Sequence, residues 1–255
     1  MGIRQFYAFF AAQLKLLKNQ LIAFSFLSVI LVIGFSLLAV KGNFSISEFF
    51  ESFGLIVWIM IGLIGSNITA RTVTEDFSDR HGLIILTQPV DRKIIIISRI
   101  TACFISILLP IIIIYTAGLI SGLIIYETFM HNLLLSFSFS LLYSFAFISF
   151  VAGIGAVSRD KNTALSAGLT VSLLAVFVLA VFGKLLGIEP WFFLPYGGLA
   201  ISSVVTLPQL PHINTGNFFF YYIPYPLEAV LIMLVYTAVF LSISILSYSR
   251  KEIID

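Results

Sequence analysis

The chain has 255 residues, of which 60% are apolar and only 10% are charged, and its mean hydropathy is +1.09. Soluble domains have roughly a quarter of their residues charged, so this composition excludes a soluble globular protein and indicates an integral membrane protein. The net charge of +2, without any run of lysines or arginines, excludes binding to nucleic acid through its phosphates.

Residues 1–20 predict an amphipathic helix. Phe6, Phe10 and Leu14 recur at helical spacing on one face, whereas Lys15 and Lys18 lie on the other face. A helix of this kind lies flat at the membrane interface with its lysines close to anionic headgroups of the lipid bilayer. The alternative is that these residues form a frayed beginning of the first membrane span.

Six apolar runs are long enough to cross the ~30 Å hydrocarbon core of a bilayer. Because unpaired backbone groups are too costly in lipid, these spans must be helices. The chain is therefore expected to be an all-α membrane protein and a single transmembrane domain, residues 1–255, with spans at 21–40, 53–70, 97–125, 132–157, 163–183 and 227–246.

The distribution of positive charge predicts the orientation of these spans. With the N-terminus inside, twelve of the 14 lysines and arginines lie on the cytoplasmic side, and only Lys41 and Lys184 lie outside. Positive charge concentrates on the cytoplasmic side of membrane proteins. The sequence thus predicts a multi-pass protein of the cell membrane with both termini in the cytoplasm.

The first cytoplasmic loop predicts a short helix at residues 72–88. Thr72 and Glu75 have the spacing of a capping box, and acidic residues in the first turns suit the positive end of a helix dipole. Apolar residues then follow until Pro89 prevents continuation of the helix. A solvated connector would explain the charge of this loop, but not its apolar residues.

Two further stretches are expected to shape the packing. Gly118 and Gly122 form a GxxxG pattern that lets two membrane helices approach closely. The long outer segment 186–226 is rich in aromatic residues and prolines, so it predicts one or two short re-entrant or interfacial helices before the last span. The segment either anchors the protein as an aromatic belt or handles substrate.

The sequence contains little that could carry chemistry. Its spans hold almost no ionisable side chain, which argues against a proton-coupled secondary transporter. The three histidines lie in separate segments, and the chain has no phosphate-binding loop. We therefore expect no catalytic residue, no bound metal and no cofactor in this chain.

Around the first cytoplasmic loop, the chain resembles the membrane (permease) subunit of type-2 ATP-binding cassette transporters. The similarity extends to chain length, the amphipathic N-terminal helix and the six spans. The residues that carry it by motif are Glu75, Leu83, Leu86, Thr87, Pro89, Val90, Arg92 and Ile95. One departure is Arg80-His81-Gly82, where the family often has Gly-Thr after its acidic residues.

This resemblance implies that residues 72–88 form a coupling helix that docks onto a separate ABC ATPase subunit, which would bind ATP and magnesium. A second permease copy, identical or paralogous, would complete the pathway. The substrate of such an exporter would be lipidic, amphiphilic or peptidic. The alternatives are a non-transporting membrane scaffold and, less favoured, a secondary transporter or channel. The implied docking residues are Glu75, Asp76, Phe77, Arg80, Leu83, Leu86, Pro89 and Arg92.

Overall fold

The computed structural model describes residues 2–78, 91–127, 132–206 and 222–249, without side-chain detail at 2–3, 75–78 and 206. The regular elements of these ranges are helices. They are α1 (Gly2–Lys41), α2 (Ile46–Ser78), α3 (Arg92–Tyr126), α4 (Leu133–Ser158), α5 (Lys161–Ala180), α6 (Leu194–Gly198), α7 (Ala200–Ser203) and α8 (Pro226–Ser249).

Six of these helices, α1 to α5 and α8, are long and apolar enough to cross a membrane. The predicted all-α membrane protein with six spans is thereby confirmed. Helices α1, α2, α3 and α8 extend beyond the predicted spans because capping, rather than hydropathy, decides where a helix ends. Asp91 caps the beginning of α3 and Asp160 caps the beginning of α5, each by accepting a hydrogen bond from a backbone N–H of the first turn.

The N-terminal helix differs from its prediction. Residues 1–20 were expected to form a separate interface helix, but α1 runs without interruption from Gly2 to Lys41. The junction at residues 18–21 contains neither glycine nor proline, so nothing ends the helix there. The rings of Phe6 and Phe10 are stacked with their centroids 6.0 Å apart.

The second helix also corrects the prediction. A new helix was expected to begin at Thr72, but α2 continues through this residue to Ser78. The Thr74 hydroxyl donates to the carbonyl oxygen of Ala70 at 2.7 Å, which is the bond a threonine makes in a helix interior. Residues 72–78 of the expected coupling helix 72–88 therefore belong to α2, and residues 79–88 lie outside the described residues.

Helix α2 lies at the centre of the bundle and packs against α3, α4, α5 and α7. It crosses α5 at two reciprocal pairs of small residues, Gly62 with Ser172 and Ser66 with Gly168. Each serine hydroxyl donates to the glycine carbonyl four residues earlier, at 2.6 Å in α2 and 2.9 Å in α5. Both hydroxyls are thus satisfied within their own helix while the two backbones approach closely.

The GxxxG pattern of α3 receives two aromatic rings of α2. A Cβ on Gly122 would lie 2.6 Å from Phe50 Cζ, and a Cβ on Gly118 would overlap the ring of Phe53. Both phenylalanines are buried. The two glycines therefore make room for aromatic side chains of a neighbouring helix. The GxxxG pattern had instead suggested close approach of a second helix backbone.

Residues 194–205, before the last span, pack inside the bundle. Helices α6 and α7 and the 3-10 turn Val204–Thr206 follow one another, and every residue from Leu194 to Val205 is buried. The Ser136 hydroxyl of α4 donates to the carbonyl of Ile201 at 2.5 Å and pairs with the Tyr115 hydroxyl at 2.8 Å. The expected short helices of 186–226 are confirmed in the part up to 206, whereas residues 207–221 lie outside the described part.

The crossing of α2 and α5 provides a stability test with a matched control. A Cβ on Gly62 would lie 2.6 Å from Ser172 Cβ, so Gly62→Ala forces the two helices apart. We expect a loss of about 1–3 kcal/mol of unfolding free energy, measured by thermal denaturation in detergent.

The control is Gly34→Ala in α1. A Cβ on Gly34 would meet no atom within 4 Å, so this substitution is expected to be neutral or to stabilise the helix by up to about 1 kcal/mol. Equal stability of the two variants would contradict the close crossing.

Candidate functional site

The bundle has two ends. At the Thr72 end, α2 and α4 finish and α3 and α5 begin; at the Lys41 end, α1 and α3 finish and α2 and α4 begin. The predicted docking residues belong to the Thr72 end. Glu75, Asp76 and Phe77 lie in the last turns of α2, and Arg92 is the first residue of α3. Arg80, Leu83, Leu86 and Pro89 lie outside the described residues.

Three buried polar side chains meet where the flanks of segment 79–90 enter the bundle. The Gln13 amide Nε2 of α1 donates to Thr72 Oγ1 of α2 at 3.2 Å. The Arg99 guanidinium Nη1 of α3 donates to the Thr72 backbone carbonyl. The exposed fractions of Gln13, Thr72 and Arg99 are 5%, 0% and 6%. We call these three residues the Thr72 junction.

The junction joins three helices through one residue. Arg99 is a buried cation, and a buried charge is tolerated only where acceptors replace the water it has lost. Hydrogen bonds from a charged donor contribute about 1.5–3 kcal/mol, roughly twice as much as neutral ones. The bond from Arg99 to Thr72 therefore holds the beginning of α3 tightly against the end of α2, and Gln13 attaches α1 to the same point.

The end of α2 is also enclosed from its other side. The backbone of Gly155 in α4 is so close that a Cβ there would lie 3.3 Å from Thr74 Cγ2, 3.4 Å from Ala164 Cβ and 3.5 Å from Val73 Cγ1. Val73, Thr74 and Ala164 are all buried. The last described side chains of α2 are therefore held by α1, α3, α4 and α5 together.

The short connection between α4 and α5 lies at the same end. Asp160 Oδ2 accepts hydrogen bonds from the Thr163 hydroxyl at 2.7 Å and from the Thr163 backbone N–H at 2.8 Å. These bonds hold the pKa of the Asp160 carboxyl below its usual range. The beginning of α5, which contributes Ala164 to the enclosure of α2, is thus fixed by a charged cap.

The predicted interface residues are distributed over both faces of α1. Lys15 and Lys18 are exposed, whereas Phe6, Phe10 and Leu14 are partly buried. Leu17, at 2% exposure, and Gln13 make the inward-facing contacts of this part of the helix. The N-terminal half of α1 therefore packs onto protein at Thr72 through Gln13, and it exposes Leu16 as well as the two lysines. Its place at the membrane interface stays a prediction.

Two of the three junction residues were not expected from the sequence. Arg99 is one of the twelve cations assigned to the cytoplasmic side, but it lies two turns inside α3 and is buried. Its position within a run of isoleucines was the available signal, because a charge in an apolar helix needs a partner. Gln13 occupies the apolar stripe of α1, between Phe10 and Leu17, and a polar residue on such a stripe needs a partner as well.

The junction offers mechanical connection rather than chemistry. Its groups are an amide, a hydroxyl, a carbonyl and a permanently charged guanidinium, none of which is a nucleophile or a general base at neutral pH. Among the described residues, no group of three or more histidines, cysteines or carboxylates is placed to hold a metal ion. These hydrogen bonds connect α2 to α1 and to α3.

Comparison with known proteins does not assign the chain to a family. No protein-family model matches the sequence. A search of curated proteins found no match either.

A double-mutant cycle tests the link between α1 and α2. Gln13→Leu and Thr72→Val each remove one partner of the 3.2 Å hydrogen bond while keeping similar shape. We expect a coupling free energy of about 0.5–1.5 kcal/mol between these two substitutions, measured from thermal or denaturant unfolding of the four proteins.

The control pairs Gln13→Leu with Thr116→Val. Thr116 is exposed on α3, and its hydroxyl bonds to Ile112 and Ile113 of its own helix. The effects of these two substitutions on the unfolding free energy are expected to be additive. A Gln13–Thr72 coupling indistinguishable from that of the control would show that the bond does not connect the two helices.

Proposed function

We propose that this chain is the permease subunit of an ATP-driven transporter of the type-2 ATP-binding cassette class. A separate ATPase docks on the loop between α2 and α3, and two permease chains together form the pathway. The observation that carries the proposal is the Thr72 junction, because it fastens both helices that flank this loop to each other and to α1.

The loop has the composition expected of a docking element. Its acidic beginning is followed by an apolar run and then by Pro89 and Arg92, so it offers both charge and an apolar surface to a soluble partner. The composition of the connection between α4 and α5 is different, because Arg159-Asp160-Lys161 is short and entirely charged. The α2–α3 loop is therefore the better docking site at this end of the bundle.

The junction converts displacement of the loop into displacement of helices. Thr72 lies six residues before Ser78, or about 9 Å along α2. A force on the loop reaches Thr72 through α2 and Arg99 through α3, and these two residues are bonded to each other. The two helices then move as one lever, and α1 moves with them through Gln13.

The centre of α2 passes this movement into the bundle. Helix α2 crosses α5 closely at Gly62 and Ser66, and its side chains contact Gly118 and Gly122 of α3. Close-packed contacts of this kind transmit a displacement from one helix to the next. A small shift at the Thr72 end therefore extends to the Lys41 end. Helix α7 packs on α2 at Gly54 and Gly198 of α6 packs on Trp58 of α2, so both short helices lie in the path of that shift.

The chemistry of the spans favours a lipidic, amphiphilic or peptidic substrate, and the resemblance of the chain to exporters suggests that this substrate leaves the cytoplasm. The spans are rich in serine hydroxyls and aromatic rings, and many of the serines donate to carbonyls of their own helices. A bare ion would need charged or carbonyl ligands at several depths.

Co-purification tests the docking role. We expect the full chain, extracted in mild detergent, to retain an ATPase that carries a phosphate-binding loop, and Leu86→Asp to remove it while membrane insertion is preserved. The physical reason is that a carboxylate at the centre of an apolar contact must be desolvated on docking. The quantity measured is the molar ratio of ATPase to permease, together with ATP hydrolysis by the complex.

Lys161→Asp is the matched control, because it adds the same carboxylate to the other loop at this end and Lys161 is exposed. This variant is expected to retain the ATPase. If Leu86→Asp and Lys161→Asp retain equal amounts, the α2–α3 loop is not the docking site. A purified complex without any ATPase would favour the scaffold alternative.

A further inference from the structure

A groove runs between α1 and α3 towards the Lys41 end of the bundle. Its volume is about 280 Å³, at the lower end of the range of ligand pockets, and it is open along one side. Its apolar walls are Ile33, Leu37 and Val40 of α1 and Ile124 and Ile125 of α3, with Ser121 between them.

The dimensions of the groove match part of one lipid chain. From Ile33 to Val40 the helix rises by about 10 Å, which is roughly two-thirds of one leaflet of a ~30 Å hydrocarbon core. The groove reaches Val40, one residue before α1 ends at Lys41. A chain in this groove would therefore lie along the helices and emerge at the level of the headgroups.

The two serines of the groove do not make it polar. The Ser36 hydroxyl donates to the Val32 carbonyl at 2.7 Å, so its hydrogen-bonding capacity is used within α1. Ser121 is a small residue beside the larger isoleucines of α3, and its lack of bulk opens space in the groove. The groove thus offers dispersion contacts to a hydrocarbon chain and little to a polar ligand.

The positively charged residue Lys41 lies next to the end of the groove. Lys41 is the last residue of α1 and is exposed. The next acidic residue in the sequence, Glu48, accepts hydrogen bonds from the backbone N–H and hydroxyl of Ser45, both at 2.8 Å. A lysine close to a lipid surface contributes about 1 kcal/mol to the attraction of an anionic headgroup.

We propose that the groove binds one acyl chain of an anionic phospholipid, whose phosphate pairs with the Lys41 ammonium group. The lipid occupies the α1–α3 groove as a bound molecule rather than as part of the exchanging lipid around the protein. This site does not rest on the proposed transport function, because it is argued only from the groove and from Lys41.

Photo-cross-linking with defined lipids tests the site. The full chain is placed in phosphatidylcholine bilayers that contain a small fraction of phosphatidylglycerol with a photoreactive group in one acyl chain. We expect adducts on residues 33–40 and 121–125. A photoreactive phosphatidylcholine should label these residues about fivefold less, as a headgroup attraction of about 1 kcal/mol predicts.

Two variants separate the headgroup from the chain contact. Lys41→Gln is expected to lower phosphatidylglycerol labelling about fivefold, to the level of phosphatidylcholine. Ser121→Phe fills the groove and should abolish labelling there by both lipids. Leu38→Phe is the control, because Leu38 is an exposed residue of α1 that does not line the groove.

Ile22 and Ile30 are exposed on the same helix but lie outside the groove. If they are labelled as strongly as the groove residues, the proposal is wrong. Unchanged labelling in Ser121→Phe would overturn it too. If the groove remains unlabelled and Ser121→Phe instead changes the oligomeric state, a second copy of the chain covers it and the lipid proposal is wrong. None of these readouts depends on an ATPase or on transport.

Discussion

The Arg99 guanidinium has to find acceptors inside a bundle of hydrocarbon side chains, and this requirement organises the Thr72 end of the molecule. A cation that is 6% exposed cannot rely on water, so it donates to the backbone carbonyl of Thr72. Since Thr72 also accepts from Gln13 through its hydroxyl, one residue satisfies partners from two other helices. The position of α1 and α3 relative to α2 is thereby set by polar contacts.

The middle of the bundle is organised by small residues in place of polar ones. In lipid, helices gain little from hydrophobic association and instead pack where backbones can approach. Gly62, Ser66, Gly168 and Ser172 provide this approach between α2 and α5, and the glycines of α3 accommodate rings of α2. A polar anchor at one end and close packing in the middle make α2 the axis on which the fold depends. Helices α6 and α7 then pack beside the other half of α2, at Trp58 and Gly54.

The sequence predicted the number, type and approximate position of the spans, because long apolar runs and backbone satisfaction in lipid leave few alternatives. It did not predict that α1 and α2 continue beyond their apolar parts. Helix ends depend on local caps and breakers, and neither the Lys18–Leu21 junction nor Thr72 contains one that acts. The capping-box spacing at Thr72 was misleading, because the same residues are compatible with a helix interior once tertiary contacts hold them.

The docking role of the loop between α2 and α3 stays a prediction, and the contacts of the Thr72 junction beside it were not predicted. The acidic-then-apolar loop indicated that the end of the second span matters, and the junction lies there. The partner of Gln13 could not be found from sequence, since Gln13 and Thr72 are 59 residues apart and only the packing of α1 on α2 and α3 brings them together. Arg99 was recognisable as a charge in an apolar run, but its acceptor is a backbone carbonyl, which no side-chain pattern reveals.

The Thr72 junction binds α1, α2 and α3 to one another, and the rest of this end of the bundle depends on it. The most direct measurement is the distance distribution between spin labels at Lys15→Cys in α1 and Lys93→Cys in α3, two exposed positions, in a Cys103→Ala background reconstituted in lipid. We expect a single narrow distribution that broadens clearly when Arg99→Met is added. A distribution that is broad at the outset, or that Arg99→Met leaves unchanged, would contradict it.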